Sequence, residues 1–412
     1  MLKTAQILRR FAFDEWGGTE NSLWNSVFGL RSHNIDSQIL STTAMAPVEY
    51  EERGGIEIRR FPYYYPYWPL SEEDKHRLDR RGGNPVSLPL YRYLQSTDFD
   101  LLHVHSSGRI AGMVRAAAKQ RKIPYIVSFH RGYLQTPEKE RREMERPLRH
   151  TFSCGRFIEL VYGWRRNFIS DADGIVCVGE GEADFLRERW PNKRILRLPN
   201  GVDYERFATP VKTNVRKAFD IPLYRTLLLC VSRIDDQKNQ KLLVRFVSTL
   251  TEEGENVHAL LIGPPSTDYY LKELTELAKE LQVDDRVTIV PGLGADDERL
   301  IAAYQDSDVF IMPSRDETFG IVVLEAWSAG LPVLASAVGG LKQLVRDGEN
   351  GLLFEPDNLG SLLNAYRTLS RYGLKDKLAA NARREAETRY SYNTMSSRLA
   401  EFYRESIEER NA

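Results

Sequence analysis

"ETFGIVVLE", residues 317–325, runs from one carboxylate to another through Phe319, Gly320, Ile321, Val322, Val323 and Leu324. An unpaired charge at the end of so apolar a run is costly to bury. Either Glu325 faces water, or both carboxylates hold a ligand. The flanking residues favour the ligand. Upstream, VFIMPS reads as a strand ending at Pro313, followed by the loop SRDET; downstream, Gly320 opens a helix that runs through IVVLEAWSAG and stops at Gly330 ahead of Pro332. A strand, a short loop and a helix N-terminus present unpaired backbone N–H groups and a positive dipole end, which suits phosphate. Spanned wholly as helix, Glu317 to Glu325 would cover about 12 Å, the scale of a nucleotide-sugar. Each carboxylate would then accept from vicinal hydroxyls, with the diphosphate between them and Glu325 exposed in an empty cleft.

The same alternation extends over the chain. Short apolar runs are expected as strands near Ala5 to Leu8, Ser37 to Leu40, Ile56 to Arg60, Leu101 to Val104, Tyr125 to Phe129, Gly174 to Val178 and Ile195 to Leu198. A second series covers Thr226 to Val231, His258 to Ile262, Val287 to Val290, Val309 to Met312, Pro332 to Ala335 and Leu352 to Phe354. Amphipathic segments of helical length separate them, which is the signature of parallel α/β sheets. Between the series lies LPNGVDYERFATP, whose Pro199, Asn200, Gly201 and Pro210 are linker chemistry. The reading is two doubly wound domains, 1–200 and 201–389, facing across a cleft. A helix from about 390 to 412, with Met395, Leu399 and Tyr403 at four-residue spacing, is expected to pack back on the first.

At 412 residues, 42% hydrophobic and with a formal net charge of -1, the chain has room for large cores and no global field to recruit nucleic acid. Cys154, Cys177 and Cys230 are odd in number and widely spaced, which argues against a disulfide framework or a structural zinc site; Cys177 and Cys230 read as core thiols. The N-terminal stretch MLKTAQILRRFAF is interrupted by Arg9 and Arg10 before a signal-peptide run develops, so the reducing cytoplasm is the expected compartment.

A dinucleotide enzyme fits poorly. In VCVGEGEADF, Gly179 and Gly181 precede Asp184 where a third glycine belongs, and no phosphate-cradling G-x-x-x-x-G-K-[ST] occurs. The triplets Asp171 to Asp173 and Asp306 to Asp308 suggest metal ligands, yet each stands at the entry to an apolar strand, where polar punctuation is ordinary; the structural reading is preferred. Counter-charge for a diphosphate is sought instead in LLLCVSRIDDQKNQ, where Arg233 and Lys238 leave one strand end and suit a phosphate clamp. The competing reading is a solvated basic loop paired with Asp235 and Asp236.

SRIDDQK, PSRDETFGIVVLEAWSAGLPV and VGGLKQLVRDGENGLLF together resemble the family-4 retaining glycosyltransferases of the GT-B fold. DEWGGTE at 14–20, LLHVHSSG at 101–108, IVSFHRG at 126–132 and LPNGVD at 198–203 extend the likeness over nearly the whole chain. The resemblance implies transfer of a hexose from a nucleoside-diphosphate sugar, UDP-linked by preference or GDP-mannose, with retention. The donor is a substrate; no cofactor and no D-x-D metal is implied. By the same resemblance, Glu317 contacts the donor sugar, the Thr318, Phe319 and Gly320 backbone contacts sugar or phosphate, and Glu325 holds the ribose. Arg233 and Lys238 stabilise the departing diphosphate. Gly17 and Gly18 form the glycine loop approaching donor and acceptor, His130 lies near the sugar's reacting end, and Gly292 and Leu293 read the base. Gln343 and Ser232 depart from the family's commoner carboxylate and glycine. An epimerase or hydrolase on the same fold and a non-catalytic sugar-binding protein are the alternatives; the first would need extra acid/base groups, and the clamp argues against the second.

The first domain is expected to bind the acceptor, a glycan, a lipid-linked sugar or a small molecule. RRFPYYYPYWPL at 59–70 concentrates aromatics and prolines that suit sugar stacking, a lipid interface, or a loop folded over the core. Residues 138–166 begin as a charge-laced helix and turn basic from Arg146, with Phe152, Phe157, Ile158, Leu160, Val161, Tyr162 and Trp164 interleaved. That half suits peripheral contact with anionic membrane at the inner face, or a buried helix with basic edges.

Overall fold

The computed structural model describes residues 1–13, 18–80, 82–129, 146–164, 167–294, 297–371 and 373–411. The chain divides into two compact units, residues 1–200 with 392–412 and residues 201–391.

The first unit is built on β1 (Leu2–Arg10), β2 (Ile35–Thr42), β3 (Tyr50–Arg53), β4 (Ile56–Phe61), β6 (Leu101–Val104), β7 (Tyr125–Phe129), β9 (Gly174–Cys177) and β10 (Arg194–Arg197), with β5 (Tyr67–Trp68) and β8 (Phe152–Ser153) pairing apart. The sheet order is β10-β9-β7-β6-β1-β2-β4-β3. Every pair in that sheet is parallel except β3 with β4, a hairpin closed at Gly54 and Gly55. One face buries Ile7, Leu102, Val104, Val127 and Ile175 against the helices Leu88–Ser96 and Arg109–Arg121. On the other, the helix Tyr392–Asn411 presents Met395, Leu399 and Tyr403 to Leu30, Leu101, Ile126 and Val176. Tyr403 also anchors polar atoms: Gln6 Nε2 donates to its hydroxyl at 3.0 Å, and His103 Nδ1 lies 2.5 Å away. Buried polar groups so paired make a rigid seat for the C-terminal helix.

The second unit carries β11 (Thr226–Val231), β12 (Val257–Ile262), β13 (Val287–Val290), β14 (Val309–Met312), β15 (Val333–Ser336) and β16 (Leu352–Phe354), all parallel, in the order β13-β12-β11-β14-β15-β16. β11, β12, β14 and β15 are apolar over nearly their whole length because helices cover both faces. Strand order reverses on either side of β11, so the loops leaving the carboxyl ends of β11 and β14 sit at the topological switch point, where ligands of such sheets bind. Cys177 and Cys230 are buried in their strands, and burial pushes their thiols up to about 12 and about 11.

Candidate functional site

The loop after β11 is folded around one carboxylate. Asp235 Oδ1 accepts from the Lys238 backbone N–H at 3.0 Å, while Oδ2 accepts from Ser266 Oγ at 3.0 Å and pairs with Arg233 Nη1 at 3.1 Å. Arg233 Nη2 donates to Gln237 Oε1 at 3.4 Å. Half of the competing reading therefore holds: Arg233 does pair with Asp235, which also fixes where its guanidinium sits. Lys238 is different. Its Nζ forms an ion pair with Glu317 Oε2 on the loop after β14, and both side chains are largely buried.

The Glu317 loop is held from two sides. Arg315, which no sequence motif had singled out, donates from its backbone N–H to Gln237 O at 2.8 Å, from Nη1 to Asp236 Oδ1 at 2.5 Å and from Nε to Asp357 Oδ1 at 2.8 Å. It clasps the β11 and β14 loops together. Behind them lies the Gly339–Gly340 pair. Gly340 N donates to Glu317 O at 2.7 Å, and a Cβ on Gly340 would stand 2.0 Å from Thr318 O, so only glycine lets the two backbones approach this closely. Thr318 N donates to Glu317 Oε1 at 3.1 Å, and Phe319 is buried. Gly320, at φ 94 and ψ 58, caps the helix Ile321–Ser328 in a left-handed conformation that other residues adopt at a cost.

Glu325 does not stand exposed as expected. It is 9% exposed, and its Oε2 accepts from the Tyr304 hydroxyl at 2.6 Å. The helix Ile321–Ser328 turns this position inward against the helix Glu298–Asp306, so a phenol inside the protein answers the desolvation cost. Burial, reinforced by the Glu325 charge, raises the Tyr304 hydroxyl well above its ordinary value and keeps it a donor. No local motif announces this partner, because Tyr304 lies on a different helix.

Gly292 and Leu293 follow β13, separated from the β11 loop by β12, and both are partly exposed. Along the sheet edge the order is therefore Gly292 and Leu293, then Arg233 and Lys238, then Glu317. Ser232 takes the place of a glycine by accepting from Gln240 Nε2 at 2.9 Å; Gln343 is exposed on the short helix Leu341–Leu344. In the first unit Gly18 opens the helix Gly18–Leu30, while Gly17 and His130 lie outside the described residues. His105 Nε2 lies 2.9 Å from Gln6 Oε1. Tyr63, Tyr64, Tyr65, Tyr67 and Trp68 line an open pocket of about 330 Å³; Tyr64 and Trp68 are exposed, while Tyr65 is largely buried and donates to Asp79 Oδ1 at 2.9 Å, so the aromatic stretch divides between core and surface.

Both aspartate triplets are engaged within the chain. Asp171 pairs with Arg115 and with Lys119, the latter at 2.6 Å, and Asp173 Oδ2 accepts from Tyr125 N at 2.9 Å. Asp306 Oδ2 accepts from Val215 N at 2.7 Å, and Asp308 Oδ2 from Leu227 N at 2.8 Å and Arg216 Nη2 at 2.9 Å. Among the described residues, no cluster of three or more His, Cys, Asp or Glu is placed to hold a metal ion.

Family models match along both units: Glycosyltransferase Family 4 over residues 16–206 and Glycosyl transferases group 1 over residues 211–389. The chain belongs to the family-4 glycosyltransferases of the GT-B fold. It is 34% identical over 223 residues to a D-inositol 3-phosphate glycosyltransferase of Nocardia farcinica, covering 51% of this chain but only 49% of that relative. A protein of the same name from Corynebacterium urealyticum is 29% identical over 355 residues, covering 82% and 78% of the two chains. Among solved structures, Anabaena HepE in complex with UDP and glucose superposes with a TM-score of 0.71 at 18% identity, over 98% of this chain and all of that one. Among the described residues, no helix is long and apolar enough to cross a membrane.

Proposed function

We propose that the chain moves a hexose from a nucleoside-diphosphate sugar, a UDP-sugar first and GDP-mannose next, to a glycan, lipid-linked or small-molecule acceptor with retention of configuration and without a bound metal. The observation that carries this reading is the Lys238–Glu317 ion pair, held between two neighbouring strand ends beside Arg233. One anionic and two cationic groups there match the two halves of a sugar diphosphate. Relatives named for transfer to inositol 3-phosphate, and neighbours solved with UDP, support the donor class and make a phosphorylated polyol the first acceptor to test.

In this reading the diphosphate lies on Arg233 and Lys238, with the backbone of Thr318, Phe319 and Gly320 beneath it. Glu317 accepts from sugar hydroxyls, Glu325, oriented by Tyr304, meets the ribose, and Gly292 and Leu293 border the base. Gly17, Gly18 and His130 keep the roles that the family resemblance implies for them. The bond from the anomeric carbon to the leaving phosphate breaks with its electrons going to the diphosphate, where the two cations stabilise the developing charge. The acceptor oxygen bonds to the same face, and its proton passes to the departing phosphate. Residue roles of this kind need no separate nucleophile, in contrast to double displacement.

A thermal-shift screen of UDP- and GDP-sugars, followed by NMR of the product linkage with inositol phosphate and simple glycans as acceptors, tests the reading. Stabilisation by one donor and an α-linked product from an α-linked donor are expected. No stabilisation by any nucleoside diphosphate would remove the donor site, and a β-linked product would remove retention.

A further inference from the structure

Two stretches far apart in sequence meet at one surface of the first unit. β5 and β8 pair antiparallel with Trp68 opposite Phe152, which places both side chains on one side of the ribbon. The helix Gly155–Val161 follows directly. Its inner side is fixed: Gly155 is buried, and Glu159 Oε1 lies 3.0 Å from Nε of Arg109, whose Nη1 donates to the Tyr67 hydroxyl at 3.2 Å. Trp164 closes the segment, buried against Tyr91 at 5.3 Å between ring centroids.

Held this way, the helix turns its apolar side outward. Phe157, Leu160 and Val161 fall three and four residues apart and share one face. Trp68 is 78% exposed, Phe152 77%, Phe157 70% and Leu160 79%. Single exposed apolar residues are ordinary, but a group of this size on adjoining elements marks an interaction surface. Within 146–164 the exposed charge is basic. Arg146, Arg149 and Arg156 are exposed, and among the described residues none has a carboxylate partner. Glu159, the only acidic residue within 146–164, is taken by Arg109.

We propose that this surface docks on an anionic lipid bilayer, with Trp68, Phe152, Phe157, Leu160 and Val161 entering the headgroup boundary and Arg146, Arg149 and Arg156 meeting the anionic headgroups. Aromatic side chains favour that boundary, and unpaired arginines beside an outward apolar helix face are what a negatively charged leaflet attracts. The inference is independent of the donor-site reading, because every residue it uses belongs to the first unit, whereas Arg233, Lys238 and Glu317 belong to the second.

Co-sedimentation of the full chain with vesicles of phosphatidylcholine alone, or with about one-third phosphatidylglycerol, tests it. Binding to the anionic vesicles is expected to be about tenfold tighter and to weaken with salt. Phe157→Ser with Leu160→Ser should weaken it by about tenfold. The triple change of Arg146, Arg149 and Arg156 to glutamine should remove the preference for anionic lipid. Nucleotide affinity and melting temperature, measured on the same variants, should match the parent and exclude unfolding. The proposal is overturned if anionic vesicles carry down no protein at low salt, or if the folded variants bind as the parent does. A dimer that dissociates on Phe157→Ser with Leu160→Ser would equally overturn it, by making the surface a contact between copies.

Discussion

Glu317 and Glu325 close the same nine-residue stretch, but they are stabilised in opposite ways. Glu317 stands in a loop at the sheet's carboxyl edge, paired with a lysine from the neighbouring strand's loop. Glu325 is carried by a helix toward the interior and is held by a phenol. A charge–charge partner at an open edge can be shared with an incoming ligand, while a hydrogen bond inside the protein mainly offsets desolvation. The pair therefore divides between chemistry and architecture more sharply than its symmetrical spacing suggests.

Lys238→Ala should have the largest consequence. Loss of a cation facing the leaving diphosphate is expected to lower kcat by on the order of 10²–10³-fold, with the far-ultraviolet circular dichroism spectrum unchanged. A variant that loses stability but keeps its turnover would show that the Glu317 pair is structural. Gly340→Ala probes the same end through its support. The added methyl would meet Thr318 O and push the loop aside, and a displacement of about 1 Å is expected to cost about 100-fold in kcat/KM while nucleotide affinity changes less. Tyr304→Phe acts on the other end and should be mildest for activity. It leaves Glu325 short of one donor, so denaturant unfolding should register a loss of about 1–3 kcal/mol, with transfer falling less than about tenfold. A large loss of transfer at unchanged stability would instead make Glu325 the more active end.

The strands of the second unit were legible because both faces of its sheet are covered, so β11, β12 and β14 read as nearly continuous apolar runs. β3 escaped notice since Tyr50–Arg53 is a polar strand at the edge of the sheet, paired with β4 alone among the described residues, and the pairing of β5 with β8 depends on residues too few to show any period. In the site, Arg233, Lys238 and Glu317 were marked by motif. Arg315 was passed over although it ties Asp236 to Asp357, because that role exists only once three loops are adjacent. The aspartate triplets went the other way: their position at strand entries favoured a structural reading, and the backbone and arginine contacts that they make were not foreseen.

By itself, the sequence determined the alternation of strand and helix, the linker at Pro199 to Gly201 and the polar residues at the carboxyl ends of β11 and β14. Periodicity, turn chemistry and charge are local properties, and they are written in order along the chain. Only the tertiary structure decided which cation meets Glu317, which phenol meets Glu325, and that Trp68 and Phe152 lie opposite each other at one surface. Those pairings join residues distant in sequence, and their energies arise from the burial and proximity that folding creates.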